Sequence, residues 1–433
     1  HTDSSLALLE QLFNMTQLLG DDDDHDDDDD DPYLDEVCKG LLNAAENRVF
    51  AVDKDAFASK KLTSKLQKQM SDALAVVSGS LPRWCESLAK SCPVLFPFEV
   101  RKQLFSARAF GSSRSIVWMQ TKRDVEAGRT PGASGGGDGA VQEFQVGRQK
   151  HERVRVPRSE DELFAWARQV LLTHADHKSV LEIEFQGEPA TGLGPSLEFY
   201  SLVCAEFQRR DFALWLCDDV AGPRESARDL GRGAKPPGFY VRPQNGLFPA
   251  PYPSGAVPAE VERKFEVLGV LLAKAVQDQR LIDMPLSTPM LKIMRGQELD
   301  VQDLAVIAPS LFTTIKALQD VVVRKRVIDT ELEQNDARER AYENLKVVYG
   351  KTECNVEDLG LYMVYLPPSR AYGFEEHPLV PGGGDLPVNL ARVEEFVERI
   401  TAFYLREGIE TQVAAFRRGF NAVFPIEELS IFT

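Results

Sequence analysis

The chain has 433 residues, 43% hydrophobic and 27% charged, the composition of an ordinary globular protein large enough for two or three domains. Its net charge of −17 is local: Asp21 to Asp31 is a run of ten Asp broken only by His25, and setting those ten charges aside leaves −7. This balance disfavours a nucleic-acid partner, which needs a basic face, and no apolar run approaches the roughly 18 residues of a membrane span.

The chain opens on His1 with no charged-then-apolar leader, so it reads as a piece of a longer protein that is not secreted. Six cysteines (Cys38, Cys85, Cys92, Cys204, Cys217, Cys354) are scattered without a CxxC pair, which removes paired zinc half-sites and a disulfide framework. Isolated thiols fit a reducing compartment, cytosol or nucleus.

At the N-terminus Leu6, Leu9, Leu12 and Phe13 keep helical spacing, and so do Leu62, Leu66, Met70, Leu74 and Val77. The Asp run between them cannot bury itself and reads as a charged spacer. Residues 127–140 (AGRTPGASGGGDGA) form a linker. As a flexible coil of 14 residues it spans about 20 Å r.m.s.. Its glycines are not a phosphate cradle, because no GK[ST] follows, and no cofactor is expected.

Arg148 to Arg158 (RQKHERVRVPR) is basic and reads as solvated charge. A helix follows with Leu163, Trp166, Val170 and Leu171 on one face. Leu181 to Phe185 alternates strictly, as a half-buried strand does. A Gly-rich turn, Gly187 to Pro195, leads into a helix faced by Leu197, Tyr200, Cys204 and Phe207. Phe265 to Val276 is apolar nearly all round and predicts a central buried helix.

Leu311, Ile315, Leu318 and Val322 predict another helix, followed by a polar stretch to about Lys346 and a strand-like piece, Leu359 to Leu366. After a Pro/Gly-rich excursion, Arg370 to Pro387, come two helices. Asn389 is the N-cap of the first and Gly408 its stop, with Val393, Phe396, Val397, Ile400, Phe403 and Tyr404 as its apolar stripe. The second carries Val413, Phe416, Phe420 and Val423. The fold class is α+β, mainly α-helical, and no internal repeat is visible.

Periodicity stops there, and a resemblance goes further. LEIEFQGEPATGLGPSLEFY (Leu181 to Tyr200), FEVLGVLLAKAVQDQRLIDMPLS (Phe265 to Ser287), NVEDLGL (Asn355 to Leu361) and FRRGFNAVFPIEEL (Phe416 to Leu429) occur in this order. Together they resemble the N-lobe of HECT-type ubiquitin ligases. Leu81 to Gln120 and GRQKHERVRVPR resemble the segment preceding the HECT domain in large ligases of that family. The resemblance implies a helical extension over 1–126, the linker 127–140, and a HECT N-lobe over 142–433 with a small subdomain at about 287–407.

It also implies an activity and partners: a ubiquitin-conjugating enzyme (E2), ubiquitin, and protein substrates whose lysines accept ubiquitin after a cysteine thioester on the ligase. That cysteine belongs to a C-terminal lobe in a Thr-Cys context which none of the six cysteines has, and the stretch ends at Thr433 where the first lobe ends. The expectation is that this segment supplies E2 docking and no catalytic residue. The alternative is a non-catalytic E2-binding or scaffold fragment. By position, the E2 groove is expected to draw on Phe396, Ile400, Leu361, Leu318 and Val322. Phe396 and Ile400, one helical turn apart, project together.

Three further features take plain readings. Gly192 and Gly194 serve a turn. Glu182 and Glu184 lie on an exposed strand face. His174 and His177 stand three apart near a helix end with no third ligand visible, so no metal is assigned.

Overall fold

The computed structural model describes residues 54–72, 75–76, 78–111, 113–117, 150–158, 162–218, 238–332, 336–349 and 352–432. The expected helix at Leu6 to Phe13, the Asp run, Leu74, Val77, Cys38 and the linker 127–140 lie outside the described residues. The chain divides into two units, one of His1–Lys150 with Glu427–Thr433 and one of His151–Ile426.

In the first unit, α1 (Lys60–Met70) starts at Ser59, whose hydroxyl accepts from the Leu62 amide at 3.4 Å, and it buries Leu66 and Met70. Helices α2 (Arg83–Ser91) and α3 (Phe98–Ala109) follow. The end of the chain returns onto α3: the Phe432 ring meets Phe98 and Phe105 at 5.7 and 5.0 Å, and Arg101 donates to the Ile431 carbonyl at 3.1 Å.

The second unit opens with β1 (His151–Val156), α4 (Leu163–Thr173), β2 (Val180–Phe185) and α5 (Leu193–Phe207). β1 pairs parallel with β2, so Arg153 lies opposite Glu182 and Arg155 opposite Glu184. Residues 151–156 of the basic stretch are therefore a strand, with the Arg153 and Arg155 side chains still largely exposed. Its arginines lie against carboxylates: Arg153 Nε donates to Glu182 at 3.0 Å and Arg155 Nε to Glu184 at 3.2 Å. Arg158 binds both Glu188 and Glu198. The glutamates on the strand face are consequently half-buried under β1 rather than exposed.

α6 (Ala259–Gln277) is buried along nearly its whole length from Phe265 onward. It crosses α12 (Glu410–Asn421) at two glycines. A Cβ on Gly269 would collide with the Phe416 carbonyl, and one on Gly419 with the Glu266 carbonyl. Only glycine at both places lets the two backbones meet.

Between them lie α7 (Thr288–Met294), α8 (Asp303–Ile307), α9 (Pro309–Glu331), α10 (Asp336–Glu343), the antiparallel pair β3 (Val347–Tyr349) and β4 (Thr352–Cys354), the antiparallel pair β5 (Val364–Tyr365) and β6 (His377–Pro378), and α11 (Val393–Leu405). Before α11, the Asn389 side chain accepts from the Ala391 and Arg392 amides, both at 3.1 Å. Among the described residues the sheets are all two-stranded. The fold is mainly helical α+β, as the sequence predicts. No described helix is long and apolar enough to cross a membrane.

Candidate functional site

Helices α9 and α11 pack together and build one apolar cluster. Leu318 and Val322 enter it from one turn of α9, and Phe396 and Ile400 from one turn of α11. Met363 and Tyr365 close it from the strand side, where the Tyr365 ring meets Phe403 at 4.7 Å and Tyr404 at 5.2 Å. The structure thus brings the five groove residues expected from sequence to one place, but not to one exposure. Leu318 is fully buried, Val322, Phe396 and Ile400 nearly so (Phe396 is 4% exposed), and Leu361 is half-buried against the cluster. The four buried residues form a floor.

What faces outward above that floor comes from Leu361 to Leu366. Main-chain bonds hold this piece on both sides. The Val388 amide donates to the Leu361 carbonyl at 2.8 Å, the Met363 amide to Leu386 at 3.0 Å, and the Leu379 amide to the Met363 carbonyl at 2.8 Å. Gly383 is needed here, since a Cβ would strike the Met363 carbonyl. The extended backbone then alternates its side chains. Met363 and Tyr365 point into the core, while Tyr362 (47% exposed), Val364 and Leu366 (63% exposed) point outward.

An outward row of Tyr, Val and Leu is unusual, because the exposed face of a short strand is normally polar. Sequence reasoning missed Tyr362 and Leu366 although the signal was present: six apolar residues in succession, LYMVYL, cannot all be buried by a two-sided strand at the protein's edge. At the rim, Arg326 on α9 pairs with Glu394 on α11. The neighbouring excursion is pinned by Tyr372, whose buried hydroxyl donates to the Trp215 carbonyl at 2.9 Å and accepts from the Cys217 amide at 2.8 Å. Burial pushes the Tyr372 hydroxyl pKa far above the ordinary phenol range, so it stays protonated for that role.

On the other side of α11, Val397, Thr401 and Leu405 face Leu299, Ile409 and Val413 across a cleft of about 710 Å³. Of the described cysteines, Cys85, Cys92 and Cys204 are buried and Cys217 and Cys354 half-buried. Burial pushes the Cys85 thiol up, away from the thiolate that acyl transfer requires.

The family model described as "HECT-domain (ubiquitin-transferase)" matches residues 201–433. The chain belongs to the HECT family. It is 42% identical to E3 ubiquitin-protein ligase hecd-1 of Caenorhabditis elegans over 88% of this chain and 15% of that protein. It is 40% identical to E3 ubiquitin-protein ligase Ufd4 of Drosophila melanogaster over 90% of this chain and 16% of that protein. With E3 ubiquitin-protein ligase TRIP12 of Danio rerio the identity is 33%, over 92% of this chain and 18% of that protein. The chain therefore spans less than a fifth of the length of these HECT relatives, and the cluster just described lies wholly within the matched region.

Proposed function

We propose that this chain docks the ubiquitin-conjugating enzyme for a HECT-type E3 ubiquitin ligase. The whole protein accepts ubiquitin from the conjugating enzyme as a cysteine thioester and passes it to substrate lysines. The observation that carries the docking reading is the outward apolar row Tyr362, Val364, Leu366, seated on the buried cluster of Leu318, Val322, Phe396 and Ile400 with Leu361 at its edge. A partner loop covering that row would remove apolar surface from water, and a rigid floor spares the ordering entropy of a soft one. An aromatic beside aliphatics suits a small desolvated hot spot. The fold provides stiffness below and exposed contact above.

The test is a calorimetric titration of the 433-residue chain with a HECT-compatible conjugating enzyme, wild type against Tyr362→Ala/Leu366→Asp. Losing a hot spot costs about 2 kcal/mol, roughly thirtyfold in affinity. The expected result is that loss at an unchanged melting temperature. Equal affinity in the variant moves the contact off this row, and no binding by folded wild type across a panel of such enzymes removes the docking reading.

The thioester nucleophile, on this reading, is not one of the six cysteines. Burial of Cys85, Cys92 and Cys204 and the absence of a Thr-Cys context support it. Incubating the chain with ubiquitin-charged conjugating enzyme is then expected to yield no thiol-sensitive ubiquitin adduct on it. An adduct that disappears in Cys217→Ser or Cys354→Ser would make this segment catalytic.

A further inference from the structure

His174 and His177 have no third ligand nearby in sequence, yet β1 brings one. At the end of α4, the two imidazoles meet edge to face, with ring centroids 5.0 Å apart and planes at 81°. Their Nδ1 atoms are 3.2 Å apart. Glu152 on β1 completes the triangle, with Oε1 3.2 Å from His174 Nδ1 and Oε2 2.9 Å from His177 Nδ1. We propose that Glu152, His174 and His177 bind a zinc ion that staples β1 to the end of α4 and the turn into β2.

The geometry matches that ion. Zinc binds imidazole at about 2.0–2.1 Å, and in a tetrahedron such bonds place neighbouring ligand atoms roughly 3.3 Å apart. The Nδ1–Nδ1 distance of 3.2 Å and the distances of 3.2 and 2.9 Å from these atoms to the two oxygens of Glu152 lie close to that value. The donor set, two imidazoles and a carboxylate, is one zinc accepts. In the absence of metal, each imidazole can give an Nδ1–H to its own oxygen of Glu152, so a divalent cation competes with those protons for the same lone pairs.

The surroundings orient the ligands as supporting groups do in metal sites. Ser179 donates its hydroxyl to Glu152 Oε2 at 2.8 Å. With Nδ1 on the metal, His177 carries its proton on Nε2, which lies 3.7 Å from the Asp176 carboxylate. The His177 carbonyl is fixed from α6, by Lys274 Nζ at 2.9 Å and Gln277 Nε2 at 3.2 Å. All three ligands are half-buried, at a site that solvent reaches. The third ligand is 22 residues before His174 and reaches it only through the parallel β1–β2 register, in which Glu152 lies opposite Leu181.

The experiment strips the 433-residue chain with a chelator and titrates Zn²⁺ alone, by calorimetry and by competition with a chromophoric chelator. The expected result is one tight site per chain and a rise in melting temperature on metal addition. Glu152→Gln and the double variant His174→Gln/His177→Gln are expected to lose that site, while Ser179→Ala weakens it about tenfold. Melting of each variant in chelator separates lost binding from lost fold. Cobalt(II) in place of zinc is expected to show a tetrahedral visible spectrum without thiolate charge transfer, which distinguishes this site from the cysteines. Stoichiometric binding that survives in the double variant, or folded wild type that takes up no zinc, overturns the proposal.

Discussion

Two short strand pairs in the second unit treat their outward faces in opposite ways. On β1–β2, Glu182 and Glu184 carry the outward positions of β2 and are met by Arg153, Arg155 and His151 from β1. At β5 and on either side of it, Tyr362, Val364 and Leu366 carry them, with Tyr362 and Leu366 exposed and Val364 half-buried. Both faces alternate with a buried one, so burial of the core is not what separates them. A charged face laced with its own counter-ions is already solvated and satisfied, and offers a partner little. An apolar face on a rigid floor is poorly solvated and has something to gain from being covered. On the proposed docking reading, β5 is the face with more to gain from a partner, and β1–β2 the one already satisfied by its own ion pairs.

The largest effect comes from breaking the floor. Phe396→Ala removes a ring that is 4% exposed and leaves a cavity between α9 and α11, which is expected to destabilise the fold by about 3–5 kcal/mol in urea denaturation. Leu366→Ala, at 63% exposed, is expected to shift it by less than about 0.5 kcal/mol. Equal effects would mean that floor and contact row are not distinct. A second change makes β5 resemble β1–β2: Tyr362→Lys with Leu366→Glu should leave melting almost unchanged. It should weaken conjugating-enzyme binding at least as much as removal of one hot spot, about thirtyfold. Retained binding would show that charge on this face is no obstacle.

How much of this was legible in the sequence follows from the range of each interaction. The α6 helix, the α11 stripe and the β2 alternation depend on neighbours within a few residues, and periodicity finds them. The pairing of β1 with β2 joins residues about 29 apart, such as Arg153 and Glu182, so local periodicity did not show that this basic run is a strand. Glu152 was invisible as a partner of His174 and His177 for the same reason. Helical spacing put Phe396 and Ile400 on one face but could not tell an inward face from an outward one. Both kinds of face are apolar here, and the difference depends on α9 lying across α11. The glycine pair of the α6–α12 crossing was likewise hidden, since neither Gly269 nor Gly419 has a positive φ or a turn to announce it.

The smaller predictions probe the charged face. Burial raises the Glu182 carboxyl, but hydrogen bonds from Arg153 and His151 outweigh it and hold its pKa below the usual carboxylate range. A depressed folded pKa means that the unfolded chain takes up the proton first as pH falls. The stabilisation is then present above the unfolded value, about 4.3, and is lost as pH drops through the lower folded one. Glu182→Gln should therefore flatten that part of the acid limb of stability, measured by urea denaturation at a series of pH values. An unchanged limb would separate Glu182 from its partners. Smallest of all is Arg155→Ala. Its side chain is 78% exposed, so its pair with Glu184 is largely screened by water and is expected to contribute no more than about 1 kcal/mol, falling with added salt. A larger, salt-insensitive loss would mean that β1 needs Arg155 for packing as well as for charge, and would weaken the division between a face satisfied by its own ion pairs and one with more to gain from a partner.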